Sequence, residues 1–462
     1  MQSFRQEETI GAISTPPGAG GIGIIRISGP QSLPILKRVF VAKGPVCSFS
    51  SHRLYYGHIQ RSADEKILDE VLAVFMAAPK TYTREDVVEI HCHGSFLVLQ
   101  NVLELVLEQG VRLADPGEFT KRAFLNGRLD LTQAEAVIDI LSAKTRKGVD
   151  LAQEQLSGTL YKKIEPIRKS LIRMRAIIEV AIDFPDEDIE ILNPKALIRQ
   201  MEEEVNNPVQ YLLQQADQGR IYREGITVVI AGLPNVGKSS LLNTILQEER
   251  ALVTAVPGTT RDSIEEFVDI NGMPVRLIDT AGIREEADEV EGLGIKRAKE
   301  LINKADLVLF MIDGARAISD GDRHLYKTVS HKPLLQVISK IDLCEDALKS
   351  MPSLGEPDRT VKISAKKQIG IDELKQKIFD TITTGMEQWE EGSCAPNVRH
   401  KHALLGAREA GQRVLDALRT GLTSDLIAVD LQDCLDRLSD IVGETTTEDI
   451  LDVIFAEFCL GK

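Results

Sequence analysis

The chain has 462 residues, 43% hydrophobic and 27% charged, with a formal net charge of -15. That length accommodates about three domains of ~150 residues, and the composition is that of a globular chain, not a disordered one. The charge argues against indiscriminate coating of nucleic acid, while a local basic patch on an acidic protein still permits an RNA substrate.

No apolar run reaches the ~20 residues a membrane span needs. The opening residues MQSFRQEETIGAIS lack the basic segment and apolar run of an export signal, so a cytoplasmic location is expected. The cysteines at 47, 92, 344, 394, 434 and 459 include no CxxC pair, which suggests neither a zinc knuckle nor a disulfide framework.

In chain order, residues 1–118 mix short strands and turns. IGIIRIS (22–28), LDEVLAVFMA (68–77) and VVEIHCHG (87–94) read as strands, and SFLVLQNVLELVLEQG as a helix closed by Gly110. Over 119–217 the period becomes helical: Leu160, Ile164, Ile167, Leu171, Met174 and Ile178 form one buried stripe. FPDEDIE (184–190) marks a break and restart. Over 218–380 strands alternate with helices. ITVVIAG, VRLIDTAG, DLVLFMIDG and LLQVISK are apolar along most of their length, as strands covered on both faces should be. Residues 381–462 are helical again. The two helical zones are expected to pack together around an inserted α/β domain.

The stretch VVIAGLPNVGKSSLLNTI carries Gly232-x4-Gly237-Lys238-Ser239 between a strand and a helix. That order is a phosphate-binding loop: backbone amides of Asn235, Val236 and Gly237 face the phosphates, Lys238 reaches the β/γ oxygens, and Ser239, followed by Ser240, ligates Mg²⁺. Next, Pro257-Gly258-Thr259-Thr260-Arg261-Asp262 reads as a mobile switch loop, with Thr260 on Mg²⁺. Asp279-Thr280-Ala281-Gly282 ends a strand. Asp279 can reach Mg²⁺ through water, and the Gly282 amide can sense the γ-phosphate.

Two strings compete to read the base. Asn303-Lys304-Ala305-Asp306 has the letters of a guanine reader but precedes its strand. Ser339-Lys340-Ile341-Asp342 follows a strand, and ligands of open α/β sheets sit at the carboxyl ends of strands. Asp342 is therefore expected to accept the guanine N1–H and N2–H₂, with Lys340 over the ring and Ser364-Ala365-Lys366 bracing it. Residues 303–306 are expected to be a decoy at a helix end. Ser339 stands where asparagine is usual, so guanine selectivity is expected with weaker nucleotide affinity. Ile283 follows the DTAG motif and cannot orient water, so another group must do so. The acids Glu285, Glu286, Asp288, Glu289 and Glu291 follow, and composition alone does not choose among them.

TPPGAGGIGIIRISG, PGEFTKRAFLNGRLDLTQAEA, the nucleotide motifs and the terminal FCLGK resemble, in order and spacing, the MnmE (TrmE) family of tRNA-modifying GTPases across essentially the whole chain. The resemblance implies an N-terminal α+β dimerisation and folate domain (1–118). It also implies an all-helical domain in two parts (119–217 and 381–462) with an inserted Ras-like G domain (218–380). It implies a homodimer that, with an FAD-containing MnmG-type partner, builds a carboxymethylaminomethyl or aminomethyl group on C5 of the wobble uridine of certain tRNAs, drawing one carbon from formyl- or methylene-tetrahydrofolate. Family roles fall on Glu291 for positioning water and on Asn235, Thr254, Val256 and Thr259 for K⁺. Ala255, Pro257 and Gly258 belong to the same nucleotide-facing loop. Arg26, Glu89, Arg128 and Lys462 fall on folate positions, and Cys459 near the modification chemistry. A GTP-driven regulatory or ribosome-assembly switch is the alternative, since the nucleotide motifs alone fit it equally.

Overall fold

The computed structural model describes residues 8–45, 47–61, 65–183, 193–249, 267–279, 300–343, 354–384, 392–456, 458 and 461. The first sheet has strands β1 (Ile10–Ile13), β2 (Gly20–Ser28), β3 (Phe40–Ala42), β4 (Arg53–Arg61), β5 (Lys66–Met76), β6 (Val87–Gly94) and β7 (Arg112–Leu113), in the order β3-β4-β5-β6-β2-β1-β7. Period-two alternation gives it one buried face, built from Ile25, Ile27, Ile59, Ala73, Val88 and Ile90 under helices α1 (Ser32–Val39) and α2 (Phe96–Glu108). The opposite face leaves Val41, Leu54, Tyr56 and Leu72 exposed.

Four helices follow: α3 (Glu118–Leu125), α4 (Leu131–Ser142), α5 (Arg146–Leu156) and α6 (Thr159–Asp183). The stripe from Leu160 to Ile178 on α6 is buried at every position. It packs into one core with α7 (Pro194–Met201), the first part of α8 (Asn207–Glu224), and residues from Cys394 to Val442. The helical segments before and after the central region thus share a single interior.

The central sheet has strands β8 (Ile226–Gly232), β9 (Phe267–Ile270), β10 (Met273–Asp279), β11 (Leu307–Asp313), β12 (Leu334–Ser339) and β13 (Thr360–Lys362), ordered β13-β12-β11-β8-β10-β9. Every pairing is parallel except the β9–β10 hairpin. Val228, Ile230, Leu307, Leu309 and Met311 enter one apolar layer; Val229, Ala231, Val308, Phe310 and Ile312 enter the other. Burial on both faces explains the uninterrupted apolar strands. Helices α9 (Lys238–Glu249), α10 (Asp320–Val329) and α11 (Ile371–Thr383) belong to this region; α12 (Val398–Thr420), α13 (Ser424–Val442) and α14 (Glu448–Ala456) close the chain.

A buried ionic cluster binds the early helices to the late ones. Glu135 on α4 receives Arg399 Nε at 2.8 Å and Nη2 at 2.9 Å, and His400 Nε2 lies 2.7 Å away. Arg399 also donates to the carbonyls of Asp440 and Ile441. Burial pushes the Glu135 carboxyl up, but His400 and Arg399 outweigh it and hold the group far below the usual carboxylate range. Burial also lowers His400, and Nδ1 accepts the Asn397 amide at 3.0 Å. That acceptor role leaves the proton on Nε2 of a neutral ring, facing Glu135.

One turn along α4, burial raises Asp139 to about 6 against the attraction of Arg223, with Glu135 and Glu224 adding repulsion. A folded pKa above the ordinary ~4 means the folded state holds this proton more tightly from about pH 4 to pH 6. Stability should therefore fall as pH rises through that window. Asp139→Asn should remove this decline, worth about 2 kcal/mol, and melt at a higher temperature than the parent at neutral pH. Parallel melting-temperature profiles for the two proteins between pH 4.5 and 7.5 would refute the assignment.

Candidate functional site

Strand β8 ends at Gly232, where the loop begins. A Cβ there would lie 2.7 Å from the Met311 carbonyl oxygen, so only glycine permits this approach. Asn235 (φ +63°) and Gly237 (φ +100°) take left-handed backbone values that curl the loop before α9. Lys238, only 6% exposed, donates Nζ to the carbonyls of Gly232 at 3.1 Å and Leu233 at 3.0 Å. Ser239 Oγ donates to Asp279 Oδ2 at 2.8 Å, joining the start of α9 to the end of β10. A hydroxyl and a carboxylate so placed are hard oxygen donors, the type that suits Mg²⁺.

The Ser339–Asp342 string is tied to the same loop. Ser339, at the end of β12 and 3% exposed, has its hydroxyl 2.6 Å from the Val236 carbonyl and 3.1 Å from that of Ile312. The serine therefore provides a link to the phosphate loop despite its short side chain. Lys340 (φ +58°) donates Nζ to the Asn235 carbonyl and to Asp313 Oδ2, both at 2.7 Å. Its methylene stem consequently lies between β12 and the loop. Ser364 Oγ donates to Asp342 Oδ1 at 2.7 Å, which lowers the carboxyl below its ordinary value. Thr244 Oγ1 lies 3.4 Å from the Ala365 carbonyl, bringing the Ser364–Lys366 loop against α9.

The competing string lies elsewhere. Asp306 precedes β11, and its Oδ2 accepts the Thr227 amide at 2.8 Å, near the start of β8. The Ala305 carbonyl accepts Lys332 Nζ at 3.1 Å. Asp306 thus fastens the amino end of the sheet, opposite the phosphate loop.

In the first sheet, Arg26 on β2 faces Glu89 on β6 across the strand pair, with Nε 2.9 Å from Oε1. His91, 3.5 Å from Glu89, and Arg26 hold that carboxyl low against the opposing effect of burial. The Arg26 guanidinium lies 5.7 Å from the Tyr82 ring centroid and that of Arg128 4.7 Å. Arg128 also donates to the Tyr82 carbonyl at 2.8 Å. These three residues, with Leu129, Val137, Ile140, Leu141 and Leu156, line a cavity of about 460 Å³. Two cations beside an aromatic face suit a planar anionic ligand. Glu89 does not line this cavity but pairs with a residue that does. Nearby, Ser14 Oγ donates to the Gly461 carbonyl at 3.0 Å, seating the end of the chain beside β1.

Thr254, Ala255, Val256, Pro257, Gly258, Thr259, Thr260, Thr280, Ala281, Gly282, Glu291, Cys459 and Lys462 lie outside the described residues. Sequence reasoning missed Tyr82 and Asp313. Asp313 ends the strand DLVLFMID just before a glycine, a position that was available as a signal; Tyr82 carried none.

A family model described as the MnmE helical domain matches residues 131–459, and one described as the GTP-binding protein TrmE N-terminus matches residues 9–128. The chain is 60% identical to the tRNA modification GTPase MnmE of Desulfotalea psychrophila, covering 100% of this chain and 99% of that one. It is 47% identical to that of Geobacter sulfurreducens, covering 99% of each. Among solved structures it is similar to Aquifex aeolicus Era bound to GDP and aluminium fluoride, at 30% identity over 40% of this chain and 66% of that one, with a TM-score of 0.26. Among the described residues no helix is long and apolar enough to cross a membrane.

Asp342→Asn replaces two acceptors with an amide that donates to the C2 carbonyl of xanthine. It should weaken GTP binding about 100-fold and make XTP the better ligand in competition binding. Retained preference for GTP would exclude Asp342 as the reader. Ser339→Ala should raise the dissociation constant for GDP about tenfold, by loosening the tie to the Val236 carbonyl, as read by titration with a fluorescent guanine nucleotide. An unchanged constant would show that the tie does not support the loop.

Proposed function

The chain belongs to the MnmE family of tRNA modification GTPases, and from that premise we propose that its GTP hydrolysis serves formation of the 5-carboxymethylaminomethyl or aminomethyl group on the wobble uridine of certain tRNAs. The observation that carries the GTP half is the fastening of the base-reading end to the phosphate loop. Lys340 holds the Asn235 carbonyl and Ser339 the Val236 carbonyl. A nucleotide bridging the two ends would meet a site whose span is already set, which lowers the ordering cost of binding.

In this reading, Asp342 accepts the guanine donors while Ser364 keeps it ionised and aimed. Lys238 exchanges its two carbonyl partners for β/γ-phosphate oxygens. Ser239 and Thr260 would hold Mg²⁺ directly, with Asp279 reaching it through water. Asn235, with Thr254, Val256 and Thr259, would hold K⁺. Bound there, these cations would supply positive charge where negative charge develops on the phosphates. Glu291 accepts a hydrogen bond from the attacking water, the task a glutamine performs in other GTPases.

The cavity between Arg26 and Arg128 supports a tetrahydrofolate site, with Lys462 completing it and Cys459 near the modification chemistry. The folate would supply the one-carbon unit; the arginines' part is to bind and orient an anion beside the Tyr82 ring. We assign homodimer formation to the exposed face of the first sheet, where Val41, Leu54, Tyr56 and Leu72 form an apolar surface on β3, β4 and β5. An FAD-containing MnmG-type protein is the proposed partner, acting with this chain on tRNA.

Steady-state GTP hydrolysis in KCl and in NaCl at equal ionic strength tests the catalytic half. KCl should accelerate turnover strongly, and Glu291→Ala should lower it by about 10² or more while GTP binding survives. Equal rates in the two salts would remove Asn235 and its loop from a cation role, and the regulatory-switch reading would then gain.

A further inference from the structure

The β9–β10 turn lies where a strand leading to the phosphate loop meets a helix leading to the Arg26–Arg128 cavity. On the nucleotide side, β10 runs from Met273 to Asp279, which accepts the Ser239 hydroxyl. The strand is paired in register with β8 from Val275 to Asp279, so it moves as part of the sheet. At its other end, the Gly272 carbonyl accepts the Thr145 hydroxyl at 2.8 Å. The same hydroxyl accepts the Gly148 amide at 3.1 Å and so caps α5. Beside it, Lys144 Nζ sits 3.3 Å from the centroid of the Phe267 ring, and Phe267 is the residue that opens β9.

The turn has no slack. A Cβ on Gly272 would lie 2.8 Å from Lys147 Cβ, and one on Gly225 would lie 2.2 Å from the Pro274 carbonyl oxygen. It is held by the start of α5 on one side and the end of α8 on the other. At the far end of α5, Leu156 lines the Arg26–Arg128 cavity, and its carbonyl accepts Gln133 Nε2 from α4 at 2.8 Å. Val137, Ile140 and Leu141 of α4 form more of the same wall. One strand and one helix therefore join the Ser239–Asp279 contact to the cavity, meeting at a hydroxyl–carbonyl bond, a cation–ring contact and the packing of Gly272 on Lys147.

We propose that this turn transmits nucleotide state to the cavity, with Lys144, Thr145 and Phe267 as positioning residues. Close-packed elements pass on a displacement that a loose loop would absorb. A shift of β10 relative to α9 then moves the start of α5, and with it the wall formed by Leu156 and α4. The cavity's ligand being a folate rests on the reading above; the mechanical joint does not.

Hydrogen exchange of the full chain with GDP, and with a non-hydrolysable GTP analogue, tests the joint. In the parent protein, exchange over residues 131–156 should differ several-fold between the two states. Lys144→Met and Phe267→Leu, which alter opposite sides of the contact, should each bring the two states within about twofold while folding normally by circular dichroism. Both should keep K⁺-stimulated hydrolysis and nucleotide affinity within about twofold of the parent. Thr145→Ser keeps the hydroxyl and should behave as the parent. No nucleotide dependence in the parent, or full dependence in both variants, overturns the proposal.

A parallel titration with 5-formyl-tetrahydrofolate separates the two readings. The ratio of its affinities in the two nucleotide states should differ from one in the parent and return to one in the variants. No folate binding, with nucleotide-dependent exchange intact, would overturn the folate reading and leave the joint standing.

Discussion

Helix α8 belongs to two interiors at once, and that constraint organises the molecule. Val209, Leu212 and Leu213 lie in the helical core, while Ile221 lies in the core of the central sheet. The helix then passes through Gly225 straight into β8, the strand that leads to the phosphate loop. The chain's return is fastened to the same helix. Cys394 has its sulfur 3.2 Å from Gln215 Oε1, and a Cβ on Gly219 would lie 2.5 Å from Ala395 Cβ. Entry and exit of the central region are thus held on one rigid rod, which limits how freely that region can turn.

Charges are managed differently at the two ends of this frame. The Glu135–Arg399–His400 cluster is buried and satisfied within the protein, so it fixes the relative position of early and late helices. Breaking one member would strand the others in a low-dielectric setting. Lys238 is also buried, but two of its partners are backbone carbonyls of its own loop. Such partners are readily exchanged for phosphate oxygens, whereas the bidentate pair at Glu135 is a structural fixture.

Much of this was legible in the sequence because it depends on residues close together in the chain. The phosphate loop requires glycines and a lysine at fixed steps, and the stripe from Leu160 to Ile178 announces its own period. That Asp342 follows its strand while Asp306 precedes one was likewise readable from the apolar runs around them. Other features depend on distant partners and left no local trace. Ser339 looked like a loss of the loop's cross-tie, yet its hydroxyl reaches the Val236 carbonyl because β12 brings it there. Tyr82 becomes part of a cavity wall only when Arg26 and Arg128 arrive from a strand and a helix loop. Thr145 reads as an ordinary helix cap until Gly272 is placed beside it.

The bond between Ser14 and Gly461 joins positions 447 residues apart in the chain. Gly461 is buried with φ +87°, and a Cβ there would lie 2.2 Å from the Ile13 carbonyl oxygen, so the segment is inlaid against β1. At ~5–20 residues per second, roughly 20 to 90 s of translation separate the two partners. The first strand therefore emerges from the ribosome long before the segment that covers it exists. Until then the Ile13–Ser14 end of that strand lacks the contact Gly461 supplies, and a nascent chain stalled short of Gly461 would present that end uncovered to the chaperones around it.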